Sequence, residues 1–307
     1  MFYVLDNQLV SMPWANVGKM ESWGIDGHIS YTQPFNKDTY LTVRANYTKS
    51  NSKVLQFEES VKLYPYQTAV GYRTWVQRGF ISEGLFKDQG DIDNSPRQTL
   101  GGTIMPGDIK YKDVNGDGVI NWDDQVPLKY SGDPGVNYGF AAEFNWKNWN
   151  INVFFEGAAN VTYFYGQGDG GYGYYPFKGR ESGNVLEIVA DQKNRWTPAW
   201  YSGDPATENP NARFPRLTYG DNPNNYVNST HWMVNGSYLR LKNVQISYRW
   251  EKPFMQRIGL QNATISLIGD NLHVWDSVGI WDPAQTKDSG MKYPIQRIYT
   301  LQVQLKF

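Results

Sequence analysis

The 307-residue chain contains no cysteine, which removes disulfide frameworks and thiolate metal sites from consideration. Histidine is nearly as scarce. His28, His231 and His273 are the three present, far apart in sequence, and without thiolates they make a poor zinc set. An excess of one charge is missing as well: 29 Lys and Arg stand against 30 Asp and Glu, a formal net charge of −1. With no basic run, nucleic acid has no electrostatic foothold. No stretch approaches the ~18 apolar residues that a membrane helix needs, and the mean hydropathy is −0.59. A β-barrel stays open, because its strands are half polar. The start, Met1-Phe2-Tyr3-Val4-Leu5-Asp6, has no basic opening, long apolar core or small-residue cleavage site, so no signal peptide is expected. The alternatives are a cytoplasmic protein and the later part of something longer. Enzyme signatures are absent too: there is no Gly-x-Ser-x-Gly elbow, phosphate-binding Gly-rich loop or His-Glu-x-x-His. The acidic neighbours Asp91 with Asp93 and Glu58 with Glu59 match what chance gives among so many carboxylates, and a non-enzyme is expected.

Aromatic residues are abundant, with 22 Tyr, 12 Trp and 14 Phe, which favours β-structure. The clearest pattern closes the chain. Tyr299, Leu301, Val303, Leu305 and Phe307 alternate with Thr300, Gln302, Gln304 and Lys306, the period-two signature of a strand with one apolar and one polar face. Six further stretches behave alike. Their shared-face residues are Trp23, Ile25, Ile29 and Tyr31; Leu41, Val43, Ala45 and Tyr47; Val136, Tyr138, Phe140, Ala142, Phe144 and Trp146; Ile151, Val153, Phe155, Val161 and Tyr163; Leu239 and Leu241, then Val244, Ile246, Tyr248 and Trp250; and Ala263, Ile265 and Leu267. In the fifth of the seven, parity changes at Asn243, which predicts a β-bulge.

The connections alternate in length. Short ones run over 33–39, 147–150 and 251–262; long ones span 50–134, 166–236 and 271–295. In an up-and-down antiparallel sheet all short turns then lie at one end and all long loops at the other, the asymmetry of outer-membrane barrels. Aromatics mark both ends: Tyr31, Phe35, Tyr40, Trp146, Trp149, Trp250, Phe254 and Phe307 near the short turns, and Trp23, Tyr47, Tyr138, Tyr163 and Tyr299 near the long loops. Two belts around an aliphatic band suit a bilayer. The competing fold is a soluble β-sandwich whose edge aromatics cap its core, although sandwich loops are normally short. The expected fold is therefore all-β: an antiparallel up-and-down transmembrane β-barrel segment of about seven strands with long extracellular loops. Seven is odd, and single-chain bacterial barrels close on even numbers, so the segment belongs to a larger barrel.

Inside the first long loop, residues 113–124 read Asp-Val-Asn-Gly-Asp-Gly-Val-Ile-Asn-Trp-Asp-Asp, with the spacing of a twelve-position calcium loop. Asp113, Asn115 and Asp117 supply oxygens at positions one, three and five, the Val119 carbonyl at seven and Asp124 at twelve; Gly118 permits the turn and Ile120 points inward. Asp replaces the usual Glu at twelve, and flanking helices are not evident, as in dockerin-type loops. A structural Ca2+ is the expected cofactor. The plainer alternative is an Asx- and Gly-rich turn that caps its own backbone.

Several segments carry a family resemblance. They are Asn16-Val-Gly-Lys-Met-Glu-Ser-Trp-Gly24, Gly84-Leu-Phe86, Pro106-Gly-Asp-Ile-Lys-Tyr-Lys-Asp-Val-Asn-Gly-Asp-Gly118, Gly236-Ser-Tyr-Leu-Arg-Leu-Lys-Asn-Val244, Gly269-Asp-Asn-Leu272, Trp281-Asp-Pro283 and Tyr293-Pro-Ile-Gln-Arg-Ile-Tyr-Thr300. Spread along nearly the whole chain, they resemble the carboxy-terminal part of SusC/RagA-type TonB-dependent outer-membrane transporters of Bacteroidetes. The resemblance implies a 22-stranded plugged barrel, a SusD-like lipoprotein lid, TonB acting through a plug that this sequence lacks, and uptake of oligosaccharides or peptides across the outer membrane. Candidate ligand contacts are the loop aromatics Tyr163, Tyr165, Tyr172, Tyr174, Tyr175, Trp275 and Trp281, since aromatic faces stack on sugars and peptide side chains alike. Equally, these rings could pack loop against loop or meet the lid. The rival function is a soluble or surface-attached, calcium-stabilised glycan-binding β-module.

Overall fold

The computed structural model describes residues 2–5, 8–11, 16, 18–128, 132–165, 185–218, 222–288 and 292–307. After a short hairpin, Phe2–Leu5 with Gln8–Ser11, the chain builds one seven-stranded sheet. Its strands are β1 (Gly18–Asn36), β2 (Thr39–Phe57), β3 (Val136–Trp146), β4 (Trp149–Ala159), β5 (Tyr238–Trp250), β6 (Asn262–Asp276) and β7 (Ile298–Lys306). Every neighbour is antiparallel and sequence order equals spatial order. This is the up-and-down sheet expected from the alternation.

The short turns gather at one end and brace one another: the Lys147 N–H donates to Asp38 O at 2.7 Å and the Arg249 N–H to Asn148 O at 2.8 Å. The predicted bulge falls one residue early. Phe154 pairs with Asn243 and Phe155 with Leu241, leaving Lys242 as the extra residue. Strand ends differ more. β1 and β2 each run 19 residues, roughly 60 Å at ~3.3 Å per residue, so the first long connection begins after Phe57 rather than at residue 50. β6 likewise reaches Asp276 rather than ending at residue 271. The ~9–11 residues of a tilted span account for only half of β1 and β2; the rest stands beyond the apolar band.

That band is continuous across the sheet. One in-register row reads Tyr31, Val43, Ala142, Val153, Val244, Gly269 and Tyr299; the next reads Gln33, Leu41, Phe144, Ile151, Ile246, Leu267 and Leu301. Its side chains are open to the surroundings: Ile25 is 70% exposed and Leu301 71%, and every residue of β7 is exposed. Each such side chain would gain about 1.5–3 kcal/mol from leaving water, and soluble monomers rarely show apolar patches beyond a few hundred Å2. In the first row Tyr31 belongs to the turn-end belt and Tyr299 to the loop-end belt, so the belts slope by eight residues across six strand-to-strand steps. At ~3.3 Å per residue and ~4.8 Å per step that corresponds to an inclination of about 40°, the tilt of a membrane barrel strand. Belt partners Trp23 and Tyr31, Tyr138 and Trp146, and Tyr299 and Phe307 are each eight residues apart on one strand.

Two belt assignments change. Tyr40 lies opposite Asn145 and Pro34, on the polar face. Tyr163 leaves the sheet for a two-stranded ribbon of Thr162–Phe164 with Met233–Asn235. The Phe254 side chain lies outside the described residues.

The buried core is elsewhere. Phe80, Leu85, Ile109, Tyr111, Ile120, Val161, Phe164, Val189, Phe214, Trp232 and Val278 form one cluster, drawn almost wholly from the connections 58–135 and 160–237. These two connections are joined backbone to backbone, Phe80 N–H to Asn228 O at 2.8 Å and Leu85 N–H to Pro210 O at 3.0 Å. They form one folded body at the long-loop end of the sheet.

Candidate functional site

The face of the sheet opposite the apolar band is a hydrogen-bonded polar wall. The Thr48 hydroxyl donates to Asp26 at 2.6 Å, Thr32 and Thr42 share a bond of 2.9 Å, and Ser247 and Ser266 another of 2.9 Å. Arg44 Nη2 lies 3.1 Å from Glu143 Oε2, whose other oxygen accepts from the amides of Asn145 and Asn150 at 3.2 and 3.1 Å. Alternation alone places these groups together: even positions of β1 and β2 share a face with odd positions of β3. Such a wall suits water and polar solutes, not a dry core.

Near the loop end, the third long connection is pinned to the wall. Arg240, 3% exposed, donates from Nη2 to Asp282 Oδ1 at 2.5 Å; its Nε lies 3.6 Å from Glu156, which Lys242 approaches to 3.1 Å. Thus Gly236–Val244 and Trp281–Pro283, remote in sequence, meet through one ion-pair cluster. Sequence reading singled out both segments without foreseeing that they touch.

Within the loop body the organising group is Asp108, which is fully buried. It accepts from Arg216 Nε and Nη2 at 2.8 and 3.1 Å, from Asn222 and Asn225 at 2.9 and 3.0 Å, and from the Met105 N–H at 2.8 Å. Asn224 and Asn225 then bond the Ile109 backbone. A buried carboxylate is tolerable only with partners of this number and kind.

The 113–124 loop closes on itself. Asp113 accepts the N–H groups of Gly116 and Gly118 at 2.6 and 2.8 Å, and Asp117 that of Val119 at 2.8 Å. Buried Asp124 accepts those of Val114 and Asn121 at 2.8 and 2.9 Å. Gly118 has φ +83°, and nothing lies near its would-be Cβ, so backbone conformation rather than space requires glycine there. Ile120 is fully buried, as position eight requires. The loop is strapped to its surroundings by Tyr66, whose hydroxyl donates to Asp123 O at 2.8 Å; burial first, then the carboxylates of Asp124, Asp123 and Asp113, raise its pKa. Among the described residues no three His, Asp or Glu side chains gather as a metal would require. The carboxylate oxygens keep lone pairs beyond their backbone bonds, so the donor chemistry suits a hard cation while the arrangement is that of an Asx-turn loop.

The loop aromatics divide. Tyr163 is 8% exposed and Tyr165 is also buried. The Tyr165 hydroxyl donates to Val278 O at 2.7 Å and accepts from Arg213, and its ring meets Trp281 edge-on at 5.4 Å. Desolvation raises the Tyr165 pKa. Tyr163, Tyr165 and Trp281 therefore join the loops to one another, with both tyrosines buried rather than open to the surface as a ligand contact would need. Trp275 stands on the apolar face beside His273, ring centroids 4.4 Å apart, and acts as a belt residue. Tyr172, Tyr174 and Tyr175 lie outside the described residues. Of the acidic neighbours, Asp91 pairs with Lys110 at 2.8 Å and Glu59 accepts from Thr68 and the Ala69 N–H.

No protein-family model matches the chain. TonB-dependent receptor P26 of Formosa agariphila is 30% identical over 251 residues, 78% of this chain and 23% of that protein. TonB-dependent receptor P3 of the same organism is 24% identical over 324 residues, 97% of this chain and 30% of that protein. The chain thus spans less than a third of the length of these curated relatives. Among solved structures, the RagAB peptide transporter superposes with a TM-score of 0.67 at 18% identity, over 95% of this chain and 29% of that one. The RagAB peptide importer in its "closed-closed" and "open-open" states gives TM-scores of 0.66 at 19% identity. At such identity the structural likeness speaks for the fold, and the curated receptors supply the relationship in sequence. The chain belongs with the TonB-dependent receptors, spans only part of their length, and shares its fold with the RagAB structures.

Proposed function

We propose that this chain forms part of the barrel wall and extracellular cap of an outer-membrane transporter that imports oligosaccharides or peptides at the expense of TonB-transmitted energy. The observation that carries the reading is the in-register apolar band, bounded by aromatic belts and backed by a hydrogen-bonded polar wall. Lipid covers the band, and the polar wall lines the interior. Among the described helices and strands, the sheet strands pack chiefly against their sheet neighbours and no second sheet covers the apolar face, which tells against the soluble glycan-binding module, since that needs a second layer over that face. The loop body faces the medium outside the cell. A SusD-like lipoprotein closes over it, a reading supported by the "open-open" and "closed-closed" states named for the RagAB importer. TonB acts through segments outside this sequence.

The 113–124 loop carries a structural Ca2+ held by Asp113, Asn115, Asp117, the Val119 carbonyl and Asp124, supported by its spacing and spare lone pairs. The ion would cross-link a segment with little apolar content and takes no part in transport chemistry. Terbium luminescence that is lost in Asp117→Ala supports the ion; a signal unchanged by that substitution removes it.

The transport reading is tested by fractionating cells that express the complete receptor and by following uptake of fluorescent hexasaccharides and tripeptides with and without TonB. The expected result is detergent-dependent extraction from the outer membrane and uptake lost with TonB. Uptake indifferent to TonB would refute the reading.

A further inference from the structure

From the level of Trp23 and Ile25, which also border it, towards the loop end, the polar face of β1 and β2 opens into a cleft of about 650 Å3. On that face Ser22 stands opposite Ser52, Gly24 opposite Ser50 and Asp26 opposite Thr48. Gly24 belongs there because a Cβ would lie 2.3 Å from Lys49 O. The far side is Arg73, Thr74 and Trp75, a segment clamped to the strands. Arg73 Nη2 donates to Ser50 O at 3.2 Å, the Thr74 N–H donates to Ser52 Oγ at 3.3 Å, and the Val54 N–H donates to Tyr72 O at 2.9 Å.

Trp75 is anomalous twice over. It is 82% exposed, and its φ of +59° is a left-handed conformation that bulky residues rarely adopt. Neither feature helps folding, since the ring buries little and the backbone would rest more easily with Gly or Asn. Strain of this kind, held in place by neighbouring bonds, collects at ligand contacts.

We infer that the cleft is a binding subsite for a neutral pyranose unit of an oligosaccharide, with Trp75 as its stacking platform. A sugar ring presents an apolar C–H face and an equatorial fringe of hydroxyls that both donate and accept. The cleft offers the complement: the exposed Trp75 indole with the Arg73 guanidinium as donor on one side and, opposite, the hydroxyls of Ser22, Thr48, Ser50 and Ser52 with the Asp26 carboxylate as acceptor. Two cations, Arg73 and Lys49, and two carboxylates, Asp26 and Asp133, line it, so no net charge selects an ionic ligand. A volume of this size lies in the range of small-molecule sites. The inference rests on the transporter reading and assigns a substrate class to this part of the wall.

The test uses the complete receptor with Trp75→Asn and Trp75→Phe, titrated calorimetrically with cellohexaose, laminarihexaose, xylohexaose and mannohexaose and with tripeptides. Asn accepts the left-handed backbone without the ring. The expected result is binding of at least one hexasaccharide by the unsubstituted receptor, weakened at least tenfold by Trp75→Asn and less than threefold by Trp75→Phe. The Tm of Trp75→Asn should be unchanged or higher. Hexasaccharide binding indifferent to Trp75→Asn, a lowered Tm in that variant, or binding of none of the four sugars would each overturn the subsite. TonB-dependent tripeptide uptake in the same cells would leave the transporter reading standing while the subsite fell.

Discussion

In the seven-stranded sheet the large apolar side chains lie outermost, and hydroxyls, amides and ion pairs make the contacts on the other face. Among the described residues of the connections 58–135 and 160–237 the order is reversed: Phe80, Ile109, Phe214 and Trp232 are sealed inside, and a charged group that joins them there, Asp108, is held by an ion pair and hydrogen bonds. The two regions belong to one chain, and the richer of them in apolar residues is the one that turns those residues outward, so apolar content alone does not set their contrast. What differs is the solvent each must satisfy. The loop body folds by removing apolar surface from water. The sheet meets its backbone hydrogen bonds strand to strand, as a membrane requires, and on the proposed reading keeps its apolar surface for lipid.

Substitutions can break or sharpen that contrast. The largest effect is expected from Asp108→Ala, which leaves Arg216, Asn222 and Asn225 without their shared acceptor in a buried site. A loss of about 3–5 kcal/mol is expected for a broken buried ion pair. Limited proteolysis should then cut the loop body while leaving the sheet protected. Leu301→Arg and Gln302→Arg form a sharper pair, adjacent in β7 but on opposite faces. The first should cost about 2–4 kcal/mol in refolding into lipid vesicles, the price of a cation facing the bilayer interior, and the second close to nothing.

His231 supplies a pH test confined to the loop body. Its ring is edge-on to Trp232 at 5.1 Å, with Nε2 shut off from solvent. Burial, partly offset by the Arg213 carbonyl, lowers its pKa from 6.5 to about 4. The folded state therefore binds the proton less readily than the unfolded state. Its stability is full above pH ~6.5 and falls as the pH drops towards ~4, by roughly 3 kcal/mol. Thermal melts of His231→Gln, compared with the unsubstituted receptor over that range, should show a shallower pH slope. The smallest effect is expected from Gly118→Ala, about 1 kcal/mol, because only a left-handed backbone opposes it. Differential scanning calorimetry of the loop transition measures it.

The sheet was largely legible because a strand with one apolar and one polar face repeats with period two: the seven strands, their order and, to within one residue of Asn243, the β5 bulge followed from side-chain parity. Legibility failed where the bilayer ends. Around Ser22, Asn51, Ser52 and Lys53 both faces are polar, alternation vanishes, and the continuing strands read as loop. In the loop body nothing local could announce that Asp108 gathers partners more than 100 residues away, or that Tyr163 and Tyr165 are covered by a distant connection. Those tyrosines looked like ligand surface because exposure depends on what packs over a residue, which short-range pattern does not encode. Trp75 escaped notice for a related reason: its distinction is a dihedral angle and an exposure, and neither is written in its neighbours.

The central claim is that one side of this sheet is solvated by lipid and the other by water. Nitroxide labels placed singly at positions 299 to 305 of β7 in the complete receptor, reconstituted in bilayers, test it most directly through accessibility to oxygen and to a water-soluble nickel chelate. The account predicts a strict alternation, with positions 299, 301, 303 and 305 favouring oxygen and 300, 302 and 304 favouring the chelate. Uniform accessibility along the strand, or the opposite phase, would contradict it.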